Sequence, residues 1–89
     1  MNYSLAYAKV KPGKKTLKHR LKYSEVYYIL KGKGVMYIEK EKKTVGPSDT
    51  IYIPPGSMQC IENTGKIDLE FLCIVYPAWQ PECEEVLEK

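Results

Sequence analysis

The spacing of turn-forming residues constrains this chain more than any other feature. Pro12-Gly13, Lys31-Gly-Lys-Gly34, Gly46-Pro47-Ser48-Asp49, Pro54-Pro-Gly56 and Asn63-Thr-Gly65 interrupt the sequence, about once every ten residues. The runs between them are rich in Tyr, Ile and Val. β-Branched and aromatic residues fit a pleated, half-buried surface, and segments this short leave no room for a packed helix. The pattern predicts an all-β sandwich or barrel of roughly eight strands. They fall at Asn2–Val10, Thr16–Lys22, Glu25–Leu30, Val35–Glu39, Lys42–Val45, Thr50–Ile53, Ser57–Glu62 and Ile67–Tyr76. Helical spacing enters only at the tail, where Pro81 precedes a short helix expected over Glu82 to Lys89.

Side-chain alternation assigns faces to these strands. In Thr16–Lys22, Leu17, His19 and Leu21 share one side, and Thr16, Lys18, Arg20 and Lys22 the other. His19 is therefore placed on an apolar face. Glu25–Leu30 is apolar on both sides apart from Glu25, as is the last long strand with Leu69, Phe71 and Cys73 opposite Leu72 and Ile74. Strands of that kind need cover on both faces. A chain of 89 residues has too little mass to supply it, so a homodimer is expected.

Composition narrows the class. Hydrophobic residues make up 44% and charged residues 28%, an ordinary globular balance for one domain spanning residues 1–89. No apolar run approaches the roughly 20 residues of a membrane helix, and Met1 to Val10 lacks the charged and apolar regions of a signal peptide. A cytoplasmic protein with no membrane partner is expected. Cys60, Cys73 and Cys83 are odd in number and lack a C-x-x-C spacing, which argues against a disulfide framework or a zinc ribbon. Cys60 and Cys73 read as buried thiols. Cys83, in a polar tail, is a free thiol or a link between chains. The charge of +3 is unevenly spread, with 12 Lys and Arg against 3 Glu in residues 1–43 and 2 Lys against 8 Asp and Glu in residues 44–89. No Arg-rich or stacking-aromatic motif accompanies the lysines, so the asymmetry is read as two halves that interleave in space rather than as a nucleic-acid surface.

Two segments carry further information. Residues 13–32 run Gly13, five residues, His19, one residue, Leu21, three residues, Glu25, six residues, Gly32. Residues 46–63 run Gly46, seven residues, Pro54, Pro55, Gly56, two residues, Gln59, three residues, Asn63. These resemble the two signature motifs of the cupin superfamily, and the tail from Tyr76 through Trp79 is similar to that of small single-domain cupins related to sugar isomerases. The resemblance implies a double-stranded β-helix, a jelly-roll barrel, with dimerisation through an outer sheet face and Trp79 at the barrel mouth or against the partner chain.

The family's metal ligands carry over only in part. His19 and Glu25 occupy the first histidine and the glutamate positions, whereas Leu21 and Gln59 stand where the other two histidines would be. His19 is the sole histidine of the chain. Iron sites with two histidines and a carboxylate, and zinc sites with two or three histidines, are excluded within one barrel. His19, Glu25 and Gln59 still offer one nitrogen and two oxygens, a loose set for a divalent metal (Mn, Fe, Ni or Zn). The competing expectation is a polar cluster in which His19 and Glu25 hydrogen-bond and Gln59 is a third partner. Tyr27, Tyr37 and Phe71 are expected as aromatic walls of the pocket. The functional reading is a barrel that binds a small sugar or carboxylate, with His19 and Glu25 as an acid/base pair for isomerase-like chemistry. Its alternatives are a metal-dependent oxygenase or isomerase with a weakened site, and a non-catalytic dimeric barrel.

Overall fold

The computed structural model describes residues 2–88. Among these residues nine strands run in the order β1 (Ser4–Val10), β2 (His19–Leu21), β3 (Ser24–Lys31), β4 (Gly34–Ile38), β5 (Glu41–Val45), β6 (Thr50–Ile53), β7 (Gln59–Asn63), β8 (Leu69–Tyr76) and β9 (Glu84–Val86). Two sheets form, ordered β1-β8-β3-β6 and β5-β4-β7-β2-β9, and every pairing is antiparallel. Consecutive strands repeatedly change sheet, which is the jelly-roll solution to closing an all-β chain. No helix among the described residues is long and apolar enough to cross a membrane.

The core lies between the sheets, and period-two alternation selects it. Tyr27 and Ile29 of β3, Met36 of β4, Val45 of β5, Ile53 of β6, Ile61 of β7 and Leu69 and Phe71 of β8 form one buried cluster. A smaller cluster of Leu21, Val75 and Cys83 closes the other end of the barrel. Asn63 ties the first cluster's edge together, because its side-chain amide donates to the carbonyls of Val10 and Ile67, both at 2.8 Å, and its oxygen accepts from Gly65 N–H. Gly34 sits where β4 meets β7 so closely that a Cβ would fall on the Glu62 carbonyl oxygen.

Several expectations change. The tail is not a helix: a single 3-10 turn over Pro81–Cys83 leads into β9, which pairs with β2. The reason is an unsatisfied edge, since β2 would otherwise leave one side of its backbone unpaired. The end of the expected helix, Lys89, lies outside the described residues. Cys83 is 2% exposed, seated against Leu21 and Val75, and so is a buried free thiol rather than a link between chains. Leu17 precedes β2 and is exposed instead of joining His19 and Leu21. The outer face of β1-β8-β3-β6 is uncovered in the single chain, with Leu5, Tyr7, Tyr28 and Tyr52 exposed beside half-buried Leu72 and Ile74.

Candidate functional site

Three of the residues singled out by the motifs meet inside the barrel. Glu25 enters from β3 in the same interior row as Tyr27, and Gln59 enters from β7 in the facing sheet. His19 on β2 pairs directly with Gln59. Glu25 is 5% exposed and Gln59 1% exposed. A short chain of hydrogen bonds joins them: Tyr27 Oη donates to Gln59 Oε1 at 2.9 Å, and Gln59 Nε2 donates to Glu25 Oε1 at 2.9 Å. The two bonds fix the amide's orientation, since its oxygen faces a donor and its nitrogen an acceptor. No side-chain polar atom sealed from solvent among the described residues lacks a partner.

His19 makes no side-chain hydrogen bond to Tyr27, Gln59 or Glu25. Its Nδ1 lies 3.0 Å from the carbonyl oxygen of Leu17. A carbonyl only accepts, so Nδ1 carries the hydrogen and Nε2 is the bare nitrogen of the neutral ring. The expected hydrogen bond between His19 and Glu25 is thus replaced by one between Gln59 and Glu25, because a neutral ring that donates from Nδ1 to Leu17 has no second N–H to offer the carboxylate. The remaining pocket residues divide. Tyr27 and Phe71 are core neighbours, with ring centroids 4.7 Å apart and planes tilted by 32°. Tyr37 lies on the opposite face of its sheet from Met36, paired with Cys60, and donates to Glu62 Oε1 at 3.0 Å. It therefore borders an outer groove with Lys15, Lys18 and Met58 rather than the barrel interior.

Burial sets the electrostatics. It pushes the Glu25 carboxyl above its ordinary range, against the Gln59 hydrogen bond and the His19 ring, which pull it down, and nearby Glu84 adds to the rise. The Tyr27 hydroxyl is raised well above its usual value by burial and then by Glu25. Cys73, opposite Tyr27 on β8, is pushed up to about 12 by burial, with Glu25 adding to the shift. It is a thiol at neutral pH and no nucleophile. Alternation within β8 makes Cys73 an interior residue, but its nearness to the carboxylate becomes visible only once β3 and β8 pair. Glu84 was missed for a related reason, because no pattern in the tail announces β9.

The donor chemistry does not fit a cupin-type metal. Leu21 offers no donor, the Gln59 oxygen accepts from Tyr27, and Glu25 Oε1 is engaged by Gln59. No grouping of three or more His, Cys, Asp or Glu suited to a metal ion occurs among the described residues.

A two-layer antiparallel jelly roll with a polar group on β2, β3 and β7 defines a double-stranded β-helix barrel protein. Residues 6–75 match the cupin domain, and the chain belongs to the cupin family. It is 49% identical over 86 residues to an uncharacterized protein of Methanocaldococcus jannaschii, covering 96% of this chain and 69% of that one. It is 40% identical over 60 residues to a glucose-6-phosphate isomerase of Thermococcus kodakarensis, covering 62% of this chain and 31% of that enzyme. Among solved structures, a predicted oxalate decarboxylase of Thermotoga maritima superposes with a TM-score of 0.76 at 34% identity, covering 82% of this chain and 64% of that one.

Proposed function

We propose that this cupin is a metal-independent barrel that binds a small polar molecule of the sugar or carboxylate class. The observation that carries the reading is the Tyr27–Gln59–Glu25 chain. A carboxyl group retained inside an apolar barrel is costly, and its one side-chain hydrogen bond leaves its other oxygen able to take a ligand hydroxyl or acid. Glu25, kept protonated more readily by burial, and the bare Nε2 of His19 are the two groups suited to move a proton on a bound ligand. The similarity to an enzyme of sugar phosphates and to a predicted oxalate decarboxylase supports both ligand classes. The functional unit is a homodimer joined through the outer face of β1-β8-β3-β6. A contiguous apolar sheet face needs cover, and Lys9, Lys31 and Glu70 at one end give it charges of both signs that a second copy can match.

The test is a thermal-shift and calorimetric panel of neutral sugars, sugar phosphates and small carboxylates, run beside elemental analysis of protein purified without chelator or affinity tag. One ligand class should raise the melting temperature, and Glu25→Gln and His19→Ala should weaken that binding. Stoichiometric metal that disappears in His19→Ala, or affinities unchanged in both variants, would overturn the proposal.

A further inference from the structure

We propose that β2 and β9 form a flap that lifts as one unit to admit the ligand to Glu25, a regulation of that site that rests on the binding reading above. Glu25 is 5% exposed and Gln59 1% exposed, so a ligand reaches them only when part of the barrel moves. The ladder of β2 and β9 is bound more closely to itself than to the rest of its sheet. β2 meets β9 along its whole length, at His19↔Val86, Arg20↔Glu85 and Leu21↔Glu84, but meets β7 at His19↔Gln59 alone. β9 is the outer strand and pairs only with β2. Lys22 N–H donates to the Cys83 carbonyl and Leu87 N–H to the Lys18 carbonyl, both at 2.8 Å. Lys18 N–H donates to Glu88 Oε1 at 2.7 Å, and Arg20 Nε lies 3.0 Å from Glu85 Oε1. Outside the strand pairing, β2 is tied to the body by Gly56 N–H, which donates to the Leu21 carbonyl at 2.7 Å.

The flap covers the polar group. Val75 pairs directly with Glu25 across the β3–β8 ladder, so the two side chains stand together on the interior face. Val75 is in turn covered by Leu21 of β2 and by Cys83, which leads into β9. These three side chains are the latch. They bury far less apolar surface than the main core, so the latch opens at a lower free-energy cost. His19 travels with β2 and Glu84 with β9, and both act electrostatically on the Glu25 carboxyl, so closing returns the proposed base to the proposed acid. The ends of the flap are fixed. Ahead of β2, Thr16 N–H donates to the Ile61 carbonyl at 3.0 Å and Ile61 N–H to Thr16 Oγ1 at 2.9 Å. Beyond it, Ser24 Oγ donates to the Tyr76 carbonyl at 3.0 Å, and Trp79 N–H, donating to Ser4 Oγ at 2.6 Å, holds the root of the tail to β1.

Unit motion and simple fraying of the tail break different bonds, and amide hydrogen exchange on the full chain separates them. A lifting flap breaks the Gly56 bond and keeps those of Lys22 and Leu87, so the Gly56 amide should exchange ahead of both. Fraying of β9 from β2 would do the reverse. The thiols are followed in parallel by mass spectrometry with methyl methanethiosulfonate, a small neutral reagent. Cys83 reports the latch, and Cys73, opposite Tyr27 and close enough to Glu25 to feel its charge, reports arrival inside the barrel. Both should react before the amides of β3 and β8 exchange, and Leu21→Ala should speed both by about tenfold or more. Lys22 and Leu87 exchanging ahead of Gly56, Cys83 reacting no faster than the β3 and β8 amides exchange, or a Cys73 rate unchanged in Leu21→Ala would overturn the flap. If Leu21→Ala does not fold, the parent protein's amide order and Cys83 rate decide. No ligand enters these measurements, so their failure leaves the ligand reading standing, whereas a silent ligand panel would remove that reading and not the motion.

Discussion

Glu25 concentrates the conflict between folding and function in one side chain. Its carboxyl titrates above its ordinary value in the folded barrel. Its contribution to stability is therefore fully present below the ordinary carboxylate pKa, and is lost as pH rises through the raised value. Glu25→Gln preserves shape and the bond from Gln59 but removes the charge. It should melt a few degrees higher than the parent at neutral pH, with the gap closing toward about pH 4, in thermal melts across that range. Tyr27→Phe does the opposite. It strips the buried Gln59 oxygen of its donor, and should cost about 1–3 kcal/mol, read as a lower urea midpoint at unchanged slope. At this scale His19, Glu25 and Gln59 were legible from motif spacing alone. Which of them would bond was not, because a hydrogen bond depends on side-chain direction across two sheets. Tyr37 shows the same limit. Its ring is aromatic like that of Tyr27, but its parity along β4 turns it outward.

Among the elements, β4 shows how tightly the strands fit. Gly34 lies against the backbone of β7, and Gly34→Ala would drive a methyl group onto the Glu62 carbonyl. The variant should lose at least about 2 kcal/mol or fail to fold, as judged by chemical denaturation and the yield of soluble protein. Gly56 follows Pro54-Pro55 with a φ of +80°, the left-handed turn that its position in the second motif demands. These elements were readable because glycine and proline act locally. β9 was not. Its three residues have no pattern of their own, and they are a strand only because β2 presents an open edge.

The whole molecule explains the lopsided charge. Sheet order β1-β8-β3-β6 alternates strands of the basic half with strands of the acidic half. Lys9 and Lys11 meet Asp68, and Arg20 meets Glu85 at 3.0 Å. Interleaving disperses a charge asymmetry that the linear sequence displays as two blocks. What it leaves is the apolar outer face of the same sheet. Light scattering at micromolar concentration should give twice the chain mass, and Leu72→Lys should return the monomer, because an unpaired ammonium in that interface costs several kcal/mol. A monomeric parent protein would remove the dimer from the functional reading.

The sequence by itself determined the all-β class, most strand positions, the barrel type and the polar positions at its centre. The class and the strands follow from local chemistry, turn residues and alternation, whereas the barrel type and the central positions follow from the resemblance of two punctuated motifs to the cupin signatures. Tertiary structure decided the rest. It set the His19 ring against the carbonyl of Leu17, let Gln59 bridge Tyr27 and Glu25, buried Cys83 and made a strand of the tail. All of these depend on which distant segments meet, and long-range pairing is not encoded in any one segment's composition.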